Sequence, residues 1–201
     1  VIFIGDYIDR GPYSRVVIEL LIRFKEQFPR TRFLKGNHEE LLFNFFNQKD
    51  VPSGLTYYFN GGNQFIRSYG LPTIEPIDVL IKKIPKSHLD FLNNLEIGIE
   101  TADYIFVHAG VKPKVPLHEQ VTSDLLWIRD EFLKVPHIMG KTVVYGHTPI
   151  PAVLAELPYR IGIDTGLVFN MTLSCIELPS LKTYEVRRGT SNVEVFTSIP
   201  V

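Results

Sequence analysis

Four short apolar runs that each end abruptly in residues able to do chemistry constrain this chain more than any other feature. Val1-Ile2-Phe3-Ile4 leads into Gly5-Asp6-Tyr7-Ile8-Asp9-Arg10-Gly11, and Thr31-Arg32-Phe33-Leu34 into Lys35-Gly36-Asn37-His38-Glu39. Tyr104-Ile105-Phe106-Val107 leads into His108-Ala109-Gly110, and Thr142-Val143-Val144-Tyr145 into Gly146-His147-Thr148-Pro149. Such runs read as strands, the first of them buried on both faces. In open α/β sheets ligands gather at the carboxyl ends of strands, where rigid strands hold converging loops. Taken alone, the first cluster serves equally as a turn in which Asp6 or Asp9 pairs with Arg10 and the glycines supply unusual dihedrals. Recurrence at four strand ends argues for one shared site. Asp6, Asn37, His108 and His147 would bring it a carboxylate oxygen, an amide oxygen and two imidazole nitrogens, a set suited to Mn²⁺, Fe or Zn²⁺ rather than Ca²⁺.

The 201 residues are enough for one domain with a sizeable core, and the expected organisation is a single domain over 1–201. A formal charge of −1 gives no global electrostatic case for binding nucleic acid or a membrane surface, so any anion site must be local. The single cysteine, Cys175, excludes an internal disulfide and fits a reducing compartment. It is read as a small core residue on a strand. No signal peptide is evident and no apolar run approaches the ~20 residues of a membrane span, so a cytoplasmic location is expected.

Between the motifs, helical spacing predicts a crossover helix capped by Ser14, burying Val17, Leu20, Leu21, Phe24 and Phe28 and stopped by Pro29. The strands it joins should be parallel. Asn37 suits either the cap of a second helix, with Glu40 completing a capping box and Leu41, Leu42, Phe45 and Phe46 buried, or a metal ligand. Residues 50–76, with Tyr57, Tyr58, Phe59, Gly61, Gly62 and Pro76, read as turns and short helices flanking the site. A helix starting at Pro85 would carry His88 at the surface or near the helix end. Residues 97–107 form a hairpin delivering His108. A further helix, Asp124 to Leu133 with Ser123 as its cap, holds Trp127 in the core and carries Arg129. His118 and His137 are assigned to the surface, and Asp164 to a turn or to orienting a histidine. Strands follow at 143–145, 159–163, 171–178 and 181–187, and no element is assigned beyond Gly189.

Gly5-Asp6-Tyr7-Ile8-Asp9-Arg10-Gly11, Gly36-Asn37-His38-Glu39, His108-Ala109-Gly110 and Gly146-His147 resemble the ordered motifs of the phosphoprotein phosphatase family of calcineurin-like metallophosphoesterases. His-Ala-Gly and Leu126-Trp127-Ile128-Arg129-Asp130 resemble its bacterial and bacteriophage branch. The resemblance implies an α/β/β/α sandwich of two mixed sheets flanked by helices. It also implies a site with two divalent metals, most often Mn, in which Asp6 bridges the pair and Asn37, His108 and His147 complete the second. Arg10 and Arg129 would grip the phosphate, His38 would protonate the leaving group, and Asp9 would orient His38.

The family's first element, a strand ending in Gly-Asp-x-His-Gly, has no counterpart in the sequence. The chain is therefore expected to be N-terminally truncated, short of the first metal's other ligands, and impaired in turnover, holding one metal rather than two. Its substrate would be a phosphorylated protein or a small phosphoester. Hydrolysis of phosphoserine or phosphothreonine is the preferred reading, because Asp9 before Arg10 and Glu39 after His38 fit that pattern. Symmetrical dinucleoside tetraphosphate hydrolysis, and non-catalytic binding of phosphorylated partners, are the alternatives.

Overall fold

The computed structural model describes residues 1–72, 77–169 and 171–197. Pro76 of the expected turn region lies outside the described residues. The chain divides into two compact units, Val1–Glu96 and Ile97–Val201. Its fold is α/β, with mixed sheets flanked by helices. No described helix is long and apolar enough to cross a membrane.

In the first unit, strand β1 (Ile2–Phe3) pairs in parallel with β2 (Arg32–Phe33) across helix α1 (Ser14–Gln27), as a crossover requires. Leu34 extends the pairing to Glu96. Ser14 is the first residue of α1, not its cap, because its hydroxyl is used elsewhere: it accepts the Asp9 N–H at 3.1 Å. The buried face of α1 is also rotated from expectation. Ile18 and Leu21 are buried, whereas Val17, Leu20 and Phe28 are exposed. Helix α2 (Asn37–Gln48) buries Leu41, Leu42, Phe45 and Phe46 as its spacing predicts. Its cap is Gly36, and Glu39 rather than Glu40 reaches back to the cap N–H at 2.8 Å, so the helix begins one residue earlier than expected.

Residues 51–68 are almost wholly helical: α3 (Val51–Tyr57), a π-helical turn (Tyr58–Gly62) and α4 (Asn63–Ser68). Helices α5 (Ile77–Lys83) and α6 (Lys86–Asn93) complete the unit. His88 on α6 is buried, not superficial, with its Nδ1 2.8 Å from the Tyr69 hydroxyl. One apolar cluster, including Ile18, Phe33, Leu42, Phe45, Tyr57, Phe65 and Leu92, ties these elements together.

In the second unit, β3 (Gly98–Glu100) and β4 (Tyr104–Val107) form the expected hairpin. Strand β4 then pairs in parallel with β5 (Thr142–Tyr145), which pairs in parallel with β7 (Arg160–Gly162), and β6 (Leu154–Glu156) closes that sheet. A second, antiparallel sheet comprises β8 (Thr172–Glu177), β9 (Lys182–Arg187) and β10 (Val193–Phe196). Ile176, Leu178 and Leu181 from this sheet pack on Val144, Val153, Ala155 and Ile161 from the first, which is how two half-polar sheets bury their apolar faces. Cys175 occupies the alternate position on β8 and is exposed rather than core.

The helix expected from Asp124 is broken. It divides into α7 (Thr122–Trp127) and α8 (Asp130–Lys134), with Ile128 extended and Arg129 non-helical between them. His118 is exposed as expected, but His137 is buried. The His137 Nε2–H donates to the Tyr159 carbonyl at 2.7 Å and Nδ1 accepts the Met139 N–H, so the ring is held neutral. Burial lowers its pKa against the opposing Tyr159 bond, with the Arg160 charge acting in the same downward direction. A folded-state pKa below the unfolded value of about 6.5 means that the unfolded chain binds the proton more readily. Stability from this group is therefore complete above about pH 6.5 and lost as the pH falls through it, by at most about 1.4 kcal/mol per pH unit. Urea unfolding across that range should show a shallower pH slope for His137→Gln than for the parent, and equal slopes would refute this assignment.

Candidate active site

The first unit gathers five of the expected site residues around the start of α2. Asp6, Asp9 and Arg10 all have positive φ, at 59°, 71° and 52°. Non-glycine residues rarely adopt this conformation, which costs about 1–3 kcal/mol each and concentrates at functional sites. Named bonds hold the strained loop. Asp6 N–H and Tyr7 N–H donate to the two oxygens of Glu39, at 3.0 and 2.8 Å. Asp9 N–H donates to Ser14, and Arg10 N–H to the carbonyl of Gly61 at 3.1 Å. Gly61 and Gly36 must be glycine here, because a Cβ on the first would collide with Arg10 and a Cβ on the second with Asp6.

Glu39 is therefore a structural clamp, fully buried, accepting three backbone N–H groups from Gly36, Asp6 and Tyr7. Burial, with the Asp6 charge adding to it, pushes its pKa up to about 7. Glu39→Ala would strand three donors, and after allowing for the charge no longer buried we expect a loss of about 2–4 kcal/mol in chemical denaturation. A loss under about 1 kcal/mol would show that water replaces the carboxylate at no cost.

Next to the clamp lies a buried histidine–carboxylate pair. His38 Nδ1 and Asp9 Oδ2 are 2.8 Å apart, with side-chain exposures of 3% and 0%. Asp9 Oδ1 accepts the Tyr57 hydroxyl at 2.8 Å. Burial opposes charge on His38, but the Asp9 hydrogen bond and the charges of Asp6 and Asp9 outweigh it, and the imidazole pKa is raised. Burial likewise raises the Asp9 carboxyl, against the His38 and Tyr57 bonds that favour its anion. Asp6 Oδ1 accepts the His38 N–H at 3.3 Å, and Asn37 is the first residue of α2, buried beside it. Asn37 is thus not the cap, which leaves its side-chain oxygen outside that role.

The second unit brings together His108 and His147, each at the end of a parallel strand and both buried, with ring centroids 5.1 Å apart. His147 has φ 64°, another strained position, so four of the six positive-φ non-glycine residues among the described residues are expected site residues. Gly146 N–H donates to the His108 carbonyl at 2.8 Å, registering the two strand ends. Trp127 is exposed rather than core, with its ring centroid 6.0 Å from that of His147. The break after α7 turns Arg129 out of helical geometry, and its guanidinium donates to Thr148 at 3.1 Å, beside His147. Asp164 shapes a turn by accepting the Gly166 N–H.

Sequence reasoning missed Tyr57, Ser14 and Thr148, and it used Glu39 only as a motif letter. Glu39 alone left a local signal, its place three residues after a glycine that precedes a helix.

Residues 1–165 match the family described as calcineurin-like phosphoesterase. Bis(5'-nucleosyl)-tetraphosphatase PrpE (asymmetrical) of Anoxybacillus flavithermus is 27% identical over 207 residues, covering 92% of this chain and 77% of that protein. Serine/threonine-protein phosphatase PP2A-like PPG1 of Saccharomyces cerevisiae is 32% identical over 143 residues, 68% of this chain but 30% of the yeast protein. A crystal structure described as a candidate diadenosine tetraphosphatase aligns over 97% of this chain and 78% of its own with a TM-score of 0.59 at 18% identity, a likeness of fold.

Proposed function

Because this chain belongs to the calcineurin-like phosphoesterase family, we propose that it is a hydrolase of phosphate monoesters, acting on phosphoserine or phosphothreonine in proteins. The family match runs across both compact units, which supports reading 1–201 as one phosphoesterase domain. Asp6, Asn37, His108 and His147 are the proposed ligands of a divalent metal. The donor set fits: buried imidazoles paired at strand ends, a carboxylate and an amide are borderline-to-hard ligands suited to Mn²⁺, Fe or Zn²⁺. When bound, such metals acidify water and neutralise phosphate oxygens.

The protein's own groups do the rest. Arg10, fixed in its strained conformation by Gly61, and Arg129, held by Thr148, offer planar guanidinium groups to the phosphate oxygens. His38 presents Nε2, the nitrogen Asp9 does not hold, to the leaving oxygen and donates its proton there.

The observation that carries the substrate class is the buried His38–Asp9 pair. An alkoxide is too basic to depart unprotonated, so a general acid held this firmly suits a serine or threonine phosphate. A nucleotide phosphate leaves readily as the anion and gains little from it. Glu39 supports the His38–Asp9 pair only through the scaffold, since both its oxygens accept backbone N–H groups of Gly36, Asp6 and Tyr7. A second reading, dinucleoside tetraphosphate hydrolysis, is favoured by the extent of the match to PrpE, which is named for the asymmetrical cleavage rather than the symmetrical one held as the alternative above. Side-by-side kcat/KM measurements on a phosphoserine peptide and diadenosine tetraphosphate with Mn²⁺ test the choice. Preference for the peptide supports the first reading, preference for the nucleotide replaces it with the second, and turnover of neither refutes both.

A further inference from the structure

We propose that Tyr57 is a positioning residue for proton donation, the outer member of a Tyr57–Asp9–His38 chain. The inference rests on the reading of His38 as the general acid, and it extends that reading to a helix remote in sequence. Tyr57 is fully buried at the end of α3, its ring stacked on Phe45 with centroids 5.4 Å apart. A Cβ at Gly62 would strike that ring, so the π-helical turn closes directly over it. The hydroxyl donates to Asp9 Oδ1 at 2.8 Å.

A carboxylate held by one oxygen can rotate about its Cβ–Cγ bond. Held by both, it cannot. With Tyr57 on Oδ1 and His38 Nδ1 on Oδ2, the Asp9 plane is fixed, and with it the direction in which the His38 Nε2–H points. Backbone bonds seat Asp9 from the other side: its N–H donates to Ser14, and the next residue's N–H to Gly61, four residues beyond Tyr57. The Tyr57–Gly62 segment therefore braces both the proton donor and the phosphate-gripping Arg10. Burial, followed by the charge of Asp9, raises the Tyr57 pKa well above its ordinary value, so the hydroxyl stays a donor.

The test is Tyr57→Phe, which keeps the ring and its stack and deletes only the hydroxyl. For each preparation, kcat on O-phosphoserine peptide is divided by kcat on p-nitrophenyl phosphate, so that any lowered folded fraction cancels. We expect the ratio to fall about 10-fold, because only the alkyl ester needs the proton. KM should be unchanged for both substrates. In an Asp9→Asn background the same substitution should have no further effect, since the residues act as one unit. If His38→Ala lowers the ratio and Tyr57→Phe leaves it unchanged, the positioning role is refuted while the general acid stands. If His38→Ala leaves the ratio unchanged, the general-acid reading itself is wrong. A proportional loss on both substrates would assign Tyr57 to packing alone.

Discussion

Replacing His38 by alanine is expected to slow hydrolysis of a phosphoserine peptide by about 10²–10⁴-fold while metal content stays at the parental level. That range corresponds to about 3–5 kcal/mol of barrier, the amount a positioned proton donor contributes when the leaving group is strongly basic. The geometry accounts for its size. His38 sits on the second residue of α2, its backbone N–H on Asp6 and its Nδ1 on a carboxylate that is itself held at both oxygens. Little reorganisation is then needed at the moment of transfer. On p-nitrophenyl phosphate, whose leaving group is weakly basic, the same variant should lose far less. Metal analysis and both assays on one preparation decide the matter, and equal losses on the two esters would remove His38 from the proton-transfer step. Asp9→Asn should fall between parent and His38→Ala, because the imidazole keeps a hydrogen-bond partner but loses the charge that favours its protonated form.

The parts of this chain legible in sequence are those whose physics is local. Each candidate ligand or donor follows a short run that reads as a strand, so Asp6, Asn37, His38, His108 and His147 announce themselves by residue type and position. The α2 stripe of Leu41, Leu42, Phe45 and Phe46 is legible for the same reason, since 3.6-residue spacing decides burial. Where partners are distant, the reading fails. Val17 and Leu20 share helical spacing with Leu21, yet α1 presents Ile18 and Leu21 to the core, a choice made by the elements it packs on. The break at Ile128–Arg129 has no proline or glycine to signal it. Arg129 leaves the helix and reaches Thr148, nineteen residues away, a gain that no local propensity encodes. Tyr57 is the extreme case. Its sequence surroundings read as a flank of mixed aromatics and glycines, and only the fold reveals a partner 48 residues earlier. His88 and His137 were misplaced for a related reason. Histidine can be buried when its ring finds polar partners, and those partners, Tyr69 at Nδ1 of His88 and Tyr159 and Met139 at the two nitrogens of His137, are set by tertiary packing.

Replacing His147 by alanine is expected to lower affinity for Mn²⁺ at least about 100-fold and to abolish turnover on every phosphoester, aryl or alkyl. The argument starts from strain. His147 holds φ 64° at the end of β5, a conformation that a histidine adopts at a cost, and it keeps its ring buried against His108 and Trp127. A fold would shed such a cost if packing alone were at stake, because glycine there would relieve the backbone. The strain persists in company with the imidazole, as the proposed ligand role would require. On the proposed ligand role, removing the ring deletes a metal donor as well as its packing on His108 and Trp127, so the decisive readout is the response to metal and not the stability of the metal-free variant. The two effects separate in one experiment. The parent should gain about 2.7 kcal/mol of stability when Mn²⁺ is supplied at a hundred times its dissociation constant, whereas His147→Ala at the same concentration should gain almost none. His38→Ala should keep the full gain, since His38 is proposed as the proton donor and not as a metal ligand. If His147→Ala responds to Mn²⁺ as strongly as the parent, the paired histidines of the second unit are not ligands, and the strained backbone at His147 needs another cause.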